Sequence, residues 1–190
     1  MARKTQIFKD TIIDAAVDLV KNQGPEALNA RSLAAKLECS TQPIFSNFKT
    51  MEDVLSAVVD RTLEIYNSFV QEIVDSKEYI TPYKAQGMGY ILFAMQQPNL
   101  FKLLFMRDRN KEEHPSEEKL FEDVLPLIMK TTGLDREKAS LFHLEIWATV
   151  HGIAVMAATG YLNLDPELAS EILTDTYQGL IQRFANEKCN

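Results

Sequence analysis

The chain has 190 residues, 46% of them apolar, and a formal net charge of −7 at neutral pH. This is enough for one or two domains with a sizeable core. The two cysteines, Cys39 and Cys189, lie too far apart for a CxxC or Cys/His ligand spacing, which points to a reduced cytoplasmic setting rather than a disulfide framework. Met-Ala-Arg-Lys opens the chain with no apolar signal core behind it, so no leader is expected. The charge is uneven: residues 1–50 hold seven Lys/Arg and five Asp/Glu, whereas residues 51–190 hold 13 and 22. A mildly basic head on an acidic body is the pattern of a nucleic-acid reader with a solvent-facing second part.

Residues 5–22 predict a first helix whose apolar stripe is Phe8, Ile12, Ala15, Ala16, Leu19 and Val20, with Asp10, Asp14, Asp18 and Lys21 on the wet side. Arg3 and Lys4 form a short basic arm before it, and Gly24-Pro25 stops it. Leu28 plugs the core of a small three-helix head. Residues 29–55 then read as helix, tight turn, helix and the start of a long helix. Asn29 is the first N-cap, because its side-chain oxygen accepts from a free N–H of the first turn. Leu33, Ala34 and Leu37 form one apolar face, and Glu38-Cys39 makes the turn. Ser40 is expected to cap the next helix, over 40–48, with Pro43 in its first turn and Ile44, Phe45 and Phe48 on its apolar side. Thr41, Gln42, Ser46 and Asn47 remain outside. Neutral donors and acceptors on a short exposed helix suit the base edges of a DNA major groove.

Leu37-Glu38-Cys39-Ser40, Ile44-Phe45, Phe48 and Met51-Glu52-Asp53-Val54-Leu55 resemble the helix-turn-helix motif of the TetR family of transcriptional regulators, closely over about the first 55 residues and in layout beyond. Three residues depart from the family pattern. Glu38 replaces the turn glycine, and a left-handed residue there costs about 1 kcal/mol more than Gly. Phe45 replaces a tyrosine and Met51 a lysine, which removes two expected phosphate anchors.

Residues 51–76 predict one long uninterrupted helix with Val54, Leu55, Val58, Val59, Leu63, Tyr66, Phe69, Val70 and Ile73 on its apolar face, a lever from head to body. Pro82 opens a helix to about Gln97, in which Gly87 and Gly89 imply close packing against a neighbour. Pro98 starts a short helix over Asn99 to Met106, and residues 107–118 read as a charged loop. Ser116 is expected to cap a helix through Thr132 with Leu120, Phe121, Val124, Leu125 and Ile128 inside and a kink or a split at Pro126. Asp135 caps a helix of about 136–160 carrying Leu141, Leu144, Ile146, Trp147, Val150, Ile153, Ala154, Met156 and Ala157. The uncharged run from Ile146 to Leu164 is near the length of a membrane span, but His151, Gly152, Thr149, Thr159, Gly160 and Asn163 make it a poor one, so no membrane is expected. Asp165-Pro166 caps the last helix, through about Ala185.

No GxSxG, P-loop or glycine fingerprint is present, and no enzyme activity or cofactor is expected. His143 and His151, eight residues apart on one helix, read as core or interface histidines, and Glu112-Glu113 and Glu117-Glu118 as solvated. The resulting expectation is an all-α, cytoplasmic, one-component regulator. Residues 1–50 form its DNA-binding domain and 51–190 its regulatory and dimerisation domain. The resemblance implies a homodimer through helices of about 136–160 and 165–185. It also implies a pseudo-palindromic double-stranded operator and release by a small lipophilic ligand. Arg31, Ser40, Thr41, Gln42, Phe45, Ser46, Asn47 and Lys49 are the expected DNA contacts; Thr41, Gln42 and Asn47 read bases, and Ser40 and Lys49 hold phosphates. Tyr66, Phe69, Tyr90, Phe93, Phe101, Phe105, Trp147 and His151 are the expected ligand lining. The alternative is a helical protein-interaction regulator with weakened or lost DNA binding, motivated by Phe45 and Met51.

Overall fold

The computed structural model describes residues 7–108, 122 and 124–186, and every regular element among them is helical. The expected basic arm at Arg3 and Lys4 lies outside the described residues, as do Cys189, the expected helix start at Ser116, Leu120 and Phe121. Helix α1 (Lys9–Gln23) begins later than its apolar pattern implied and buries Ile12, Ile13, Ala16, Val17, Leu19 and Val20. Phe8 is only its N-cap and stays 63% exposed, so the stripe begins one turn further on. Gly24, at φ 89°, ends α1 and returns its N–H to the Val20 carbonyl. After a turn of 3-10 helix (Pro25–Ala27), α2 (Ala30–Lys36) starts at Asn29, whose Oδ1 accepts from the N–H groups of Arg31 and Ser32 at 3.1 and 3.0 Å.

Helix α3 (Gln42–Asn47) contributes Ile44 to the head core and is followed by buried Phe48. Helix α4 (Met51–Ser76) has the expected bounds. Its start is fixed by a reciprocal capping box: Thr50 Oγ1 accepts from the Asp53 N–H, and the Thr50 N–H donates to the Asp53 carboxylate. Only Val54, Val58 and Thr62 are buried along it, while Leu55 and Leu63 are 38% and 43% exposed, against expectation. Both lie one position beyond a buried residue, on the edge of the stripe.

Helix α5 (Pro82–Gln96) is the centre of the body, packed along α4 on one side and along α8 (Arg136–Ala158) on the other. The two glycines make this approach possible. A Cβ on Gly89 would stand 3.3 Å from the backbone and side chain of Val70 on α4, and one on Gly87 would stand 3.4 Å from Val150 and 3.6 Å from Leu173. Helix α6 (Pro98–Phe105) runs back to the head, where Asn99 Nδ2 donates to the Lys21 carbonyl of α1 at 3.0 Å.

In α7 (Leu125–Thr132), Pro126 sits in the first turn, where its missing N–H removes no helical bond, rather than at a kink. Asp135 caps α8 by accepting from the Lys138 N–H, and Asp165 caps α9 (Pro166–Asn186) by accepting from the Leu168 N–H. α8 turns Ala139, Phe142, Ile146, Val150, Ile153 and Ala154 inward, so Leu141 and Leu144 are exposed and Phe142 takes the core place expected of them. α8 is long and apolar enough to cross a membrane by length and composition. Its buried residues pack against α5 and the rest of the core.

Two substitutions test this packing by urea unfolding. Gly89→Leu must displace the α4 backbone at Val70 and is expected to cost about 1–3 kcal/mol. Thr50→Ala removes half of the capping box and is expected to cost about 1 kcal/mol.

Candidate nucleic-acid interface and body cleft

The turn before α3 is set by Glu38, which adopts φ 51° and so takes the left-handed place where a glycine is easiest. The Glu38 and Cys39 N–H groups donate back to Ala35 and Ala34, closing α2. The reversal leaves Ser40 exposed and outside the helix, and it does not cap α3 as expected. Thr41 stands at the N-cap with helical angles (φ −69°, ψ −15°) and no side-chain cap bond, because the extended geometry that aims a hydroxyl at the first-turn N–H groups is not available to it.

Ile44 and Phe48, one turn apart, pin α3 into the head. The opposite side is presented outward. Gln42, Phe45, Ser46, Asn47 and Lys49 are exposed, as are Ser40 and, on α2, Arg31, while Thr41 is half-buried. Phe45, expected on the apolar side, is 46% exposed: the i, i+4 pair Ile44 and Phe48 fills the available core, and the residue next to Ile44 is turned about 100° away. Asn47 is less free than its exposure implies. Its Nδ2 donates to the Pro43 carbonyl at 2.8 Å, within α3, and to the Ile7 carbonyl at 3.2 Å, so one amide hydrogen ties α3 to the chain entering α1. Ser46 Oγ donates to the Gln42 carbonyl at 2.9 Å. Lys9 stands over the Phe48 ring at 5.1 Å, a cation beside this face that the sequence pattern did not single out. Met51 is half-buried and packs on the core at the base of the head.

The expected ligand lining divides in two. Tyr90, Phe93 and Phe101 are fully buried and interlock edge to face with Tyr66 and Phe105, with ring centroids 4.7–6.0 Å apart. They form a packed core, with Phe69 against Phe93 at 5.6 Å. His151 accepts or donates at Nδ1 to Tyr90 Oη at 2.9 Å behind the Trp147 ring. Phe69, Tyr90, Phe93, Phe101, Phe105 and His151 are therefore not on the cavity wall. The cavity lies on the other side of Tyr66, a cleft of about 780 Å³ between α4, α5 and α8. Of the expected residues, only Tyr66 and Trp147 line it. The residues missed are Asn67, Val70, Gln71 and Val74 of α4, Tyr83, Gln86 and Gly87 of α5, Val124 before α7, and His143, Leu144, Ile146 and Val150 of α8.

A repeated pair of side chains joins α5 to α8. Tyr83 Oη lies 2.8 Å from His143 Nδ1, and seven and eight residues on, Tyr90 meets His151 in the same way. Burial pushes both phenols well up and Tyr66 to about 12, and it pushes both imidazoles down. Both histidines are thus half-buried members of the packing, as their spacing implied.

Residues 83–177 match the family model for the tetracyclin repressor-like C-terminal domain. The chain belongs to the TetR family of transcriptional regulators. It is 19% identical over 165 residues to an uncharacterised helix-turn-helix-type transcriptional regulator of Mycobacterium tuberculosis, covering 86% of this chain and 76% of that one. Two solved structures share the fold over nearly the whole length. They are a TetR-like regulator from Rhodococcus sp. RHA1 (TM-score 0.64, 15% identity, 98% of each chain) and a transcriptional regulator from Pseudomonas aeruginosa PAO1 (TM-score 0.65, 12% identity, 95% of each). The TetR family membership makes this chain a transcriptional regulator rather than an enzyme.

The lowered imidazoles give a pH signature. An unfolded chain takes protons on His143 and His151 near pH 6.5, while the folded chain resists until lower pH. Stability should therefore be full above that value and fall as pH drops below it, as more protons bind the unfolded state. Urea midpoints of the protein and of a His143→Asn, His151→Asn double variant should diverge near neutral pH and converge in acid.

Proposed function

We propose that this TetR-family protein is a cytoplasmic homodimeric repressor. It binds a pseudo-palindromic operator through α3 and leaves it when a small lipophilic molecule fills the body cleft. The observation that carries the DNA half of this reading is the face of α3, where Thr41, Gln42, Phe45 and Ser46 stand together over buried Ile44 and Phe48. We take residues 1–50 as the DNA-binding part and 51–190 as the regulatory part, with Val54 and Val58 of α4 completing the head's core.

Within that face, Gln42 and Thr41 read base edges, and the Phe45 ring meets a thymine methyl group. Lys49, Arg31 and Ser40 contact phosphates. Asn47, with both amide hydrogens engaged, positions α3 and contributes at most its Oδ1 to DNA. Two-fold pairing through α8 and α9 is supported by the exposure of Leu141 and Leu168, each 42% exposed. Release follows if the ligand-filled body favours a head spacing that the operator does not match.

The test begins with selection of a duplex from a random library. On that duplex, Gln42→Ala should lose about 1–3 kcal/mol and relax the preference at one position per half-site. Lys49→Ala should weaken all sequences alike and lower the salt slope by about one. Unchanged affinity and preference for Gln42→Ala contradict the groove assignment. Binding indifferent to salt favours the alternative, a protein-interaction regulator in which Phe45 and Met51 stand where phosphate anchors are lost.

A further inference from the structure

The cleft's wall carries an unusual charge pattern. Among the described residues, none of those lining it is Asp, Glu, Lys or Arg. Among the described residues, the charged neighbours of the lining positions are exposed, as Glu72 beside Gln71 is, or hydrogen-bonded. Lys84, beside Tyr83, donates to Thr174 Oγ1 at 2.8 Å, and Glu145, between Leu144 and Ile146, pairs with Arg183 at 2.7 Å. Asp75, one residue after Val74, accepts from Gln71 Nε2 at 2.9 Å. The walls themselves are mostly apolar, with Tyr66, Val70, Val150 and Trp147 opposite one another. The amides of Asn67, Gln71 and Gln86 belong to exposed residues, and the half-buried polar feature spanning two facing helices is the Tyr83–His143 hydrogen bond. Burial disfavours the charged form of both partners, so the pair offers donor and acceptor capacity without net charge.

We propose that this cleft takes an uncharged lipophile bearing one hydroxyl or carbonyl oxygen, seats that oxygen at the Tyr83–His143 pair, and rejects carboxylate and ammonium analogues of the same size. The reason is desolvation. An ion drawn against an apolar wall loses its hydration and recovers little, whereas a hydroxyl has far less hydration to lose and regains part of it at the pair. The volume, about 780 Å³, lies in the range of sites for drug-sized molecules. The inference rests on the ligand-release reading only for its biological consequence. The cleft's selectivity stands by itself.

The chain supplies its own reporter, because its one tryptophan is Trp147 on the cleft wall. The experiment titrates the full-length protein with decan-1-ol, decanoate and decylammonium, below their aggregation limits and at neutral pH, and follows Trp147 emission. Saturable binding of the alcohol, tighter than either ion by about tenfold or more, is expected. Tyr83→Phe should weaken the alcohol by about fivefold to tenfold, without altering the emission of the unliganded protein. Gln86→Glu, an isosteric change at an exposed lining residue, should raise decylammonium affinity several-fold at low salt. An ion that binds as tightly as the alcohol overturns the proposal. So does an alcohol affinity that ignores Tyr83→Phe, or the absence of saturable binding by all three. Repeating the alcohol titration with the selected operator in excess separates the two readings. Alcohol-selective binding that is indifferent to DNA upholds the cleft's chemistry and removes the release step.

Discussion

Helix α3 has six residues, too few to hold themselves in water, since helix nucleation costs more than so short a run of hydrogen bonds returns. It exists because Ile44 and Phe48 are driven into the head. These two contacts also decide what the helix displays. With the i, i+4 positions taken by the core, Gln42, Phe45 and Ser46 have only the outside to occupy. One further bond, from Asn47 to the Ile7 carbonyl, fixes the helix against the entry to α1. A face built in this way is rigid before it meets a partner, and a rigid face is what selective recognition requires.

The body is organised by a second constraint, the close approach of three helices at two glycines. Gly89 lets α5 touch α4 at Val70, and Gly87 lets it touch α8 and α9. The same α4 that walls the cleft with Tyr66 and Val70 carries Val54 and Val58 into the head core twelve or so residues earlier. It does so as one capped rod without an internal glycine or proline. Helix α6 makes a second connection, touching α1 through Asn99. Any movement of α4 or α6 that follows filling of the cleft is therefore delivered to the head.

Much of this was legible in the sequence, and the reasons differ by element. The extent of α4 follows from the lack of Gly or Pro between residues 51 and 76. The glycines of α5 announced close packing, and the positions of Asn29, Asp135 and Asp165 announced their caps. Periodicity erred where two adjacent apolar residues competed for one place. Leu141 lost to Phe142, and Phe45 to Ile44. Ser40 was misjudged because α3 starts two residues later than expected, after the left-handed turn at Glu38. The cleft was the least legible feature. Aromatic spacing found Tyr66 and Trp147 but could not say which side of them is hollow, because this depends on how far α5 and α8 stand apart beside Gly87. The Tyr83–His143 and Tyr90–His151 pairs were present in the sequence as two spacings of about two turns on separate helices. Only their packing shows that they meet.

The central claim is that α3 is held outward and delivered to DNA twice by a self-pairing body. Hydroxyl-radical footprinting on the selected duplex at saturating protein tests it most directly. Two protected tracts related by a two-fold axis, with centres roughly one helical turn or a whole multiple of it apart, are expected. A single protected tract at saturation, or two tracts unrelated by symmetry, contradicts the account.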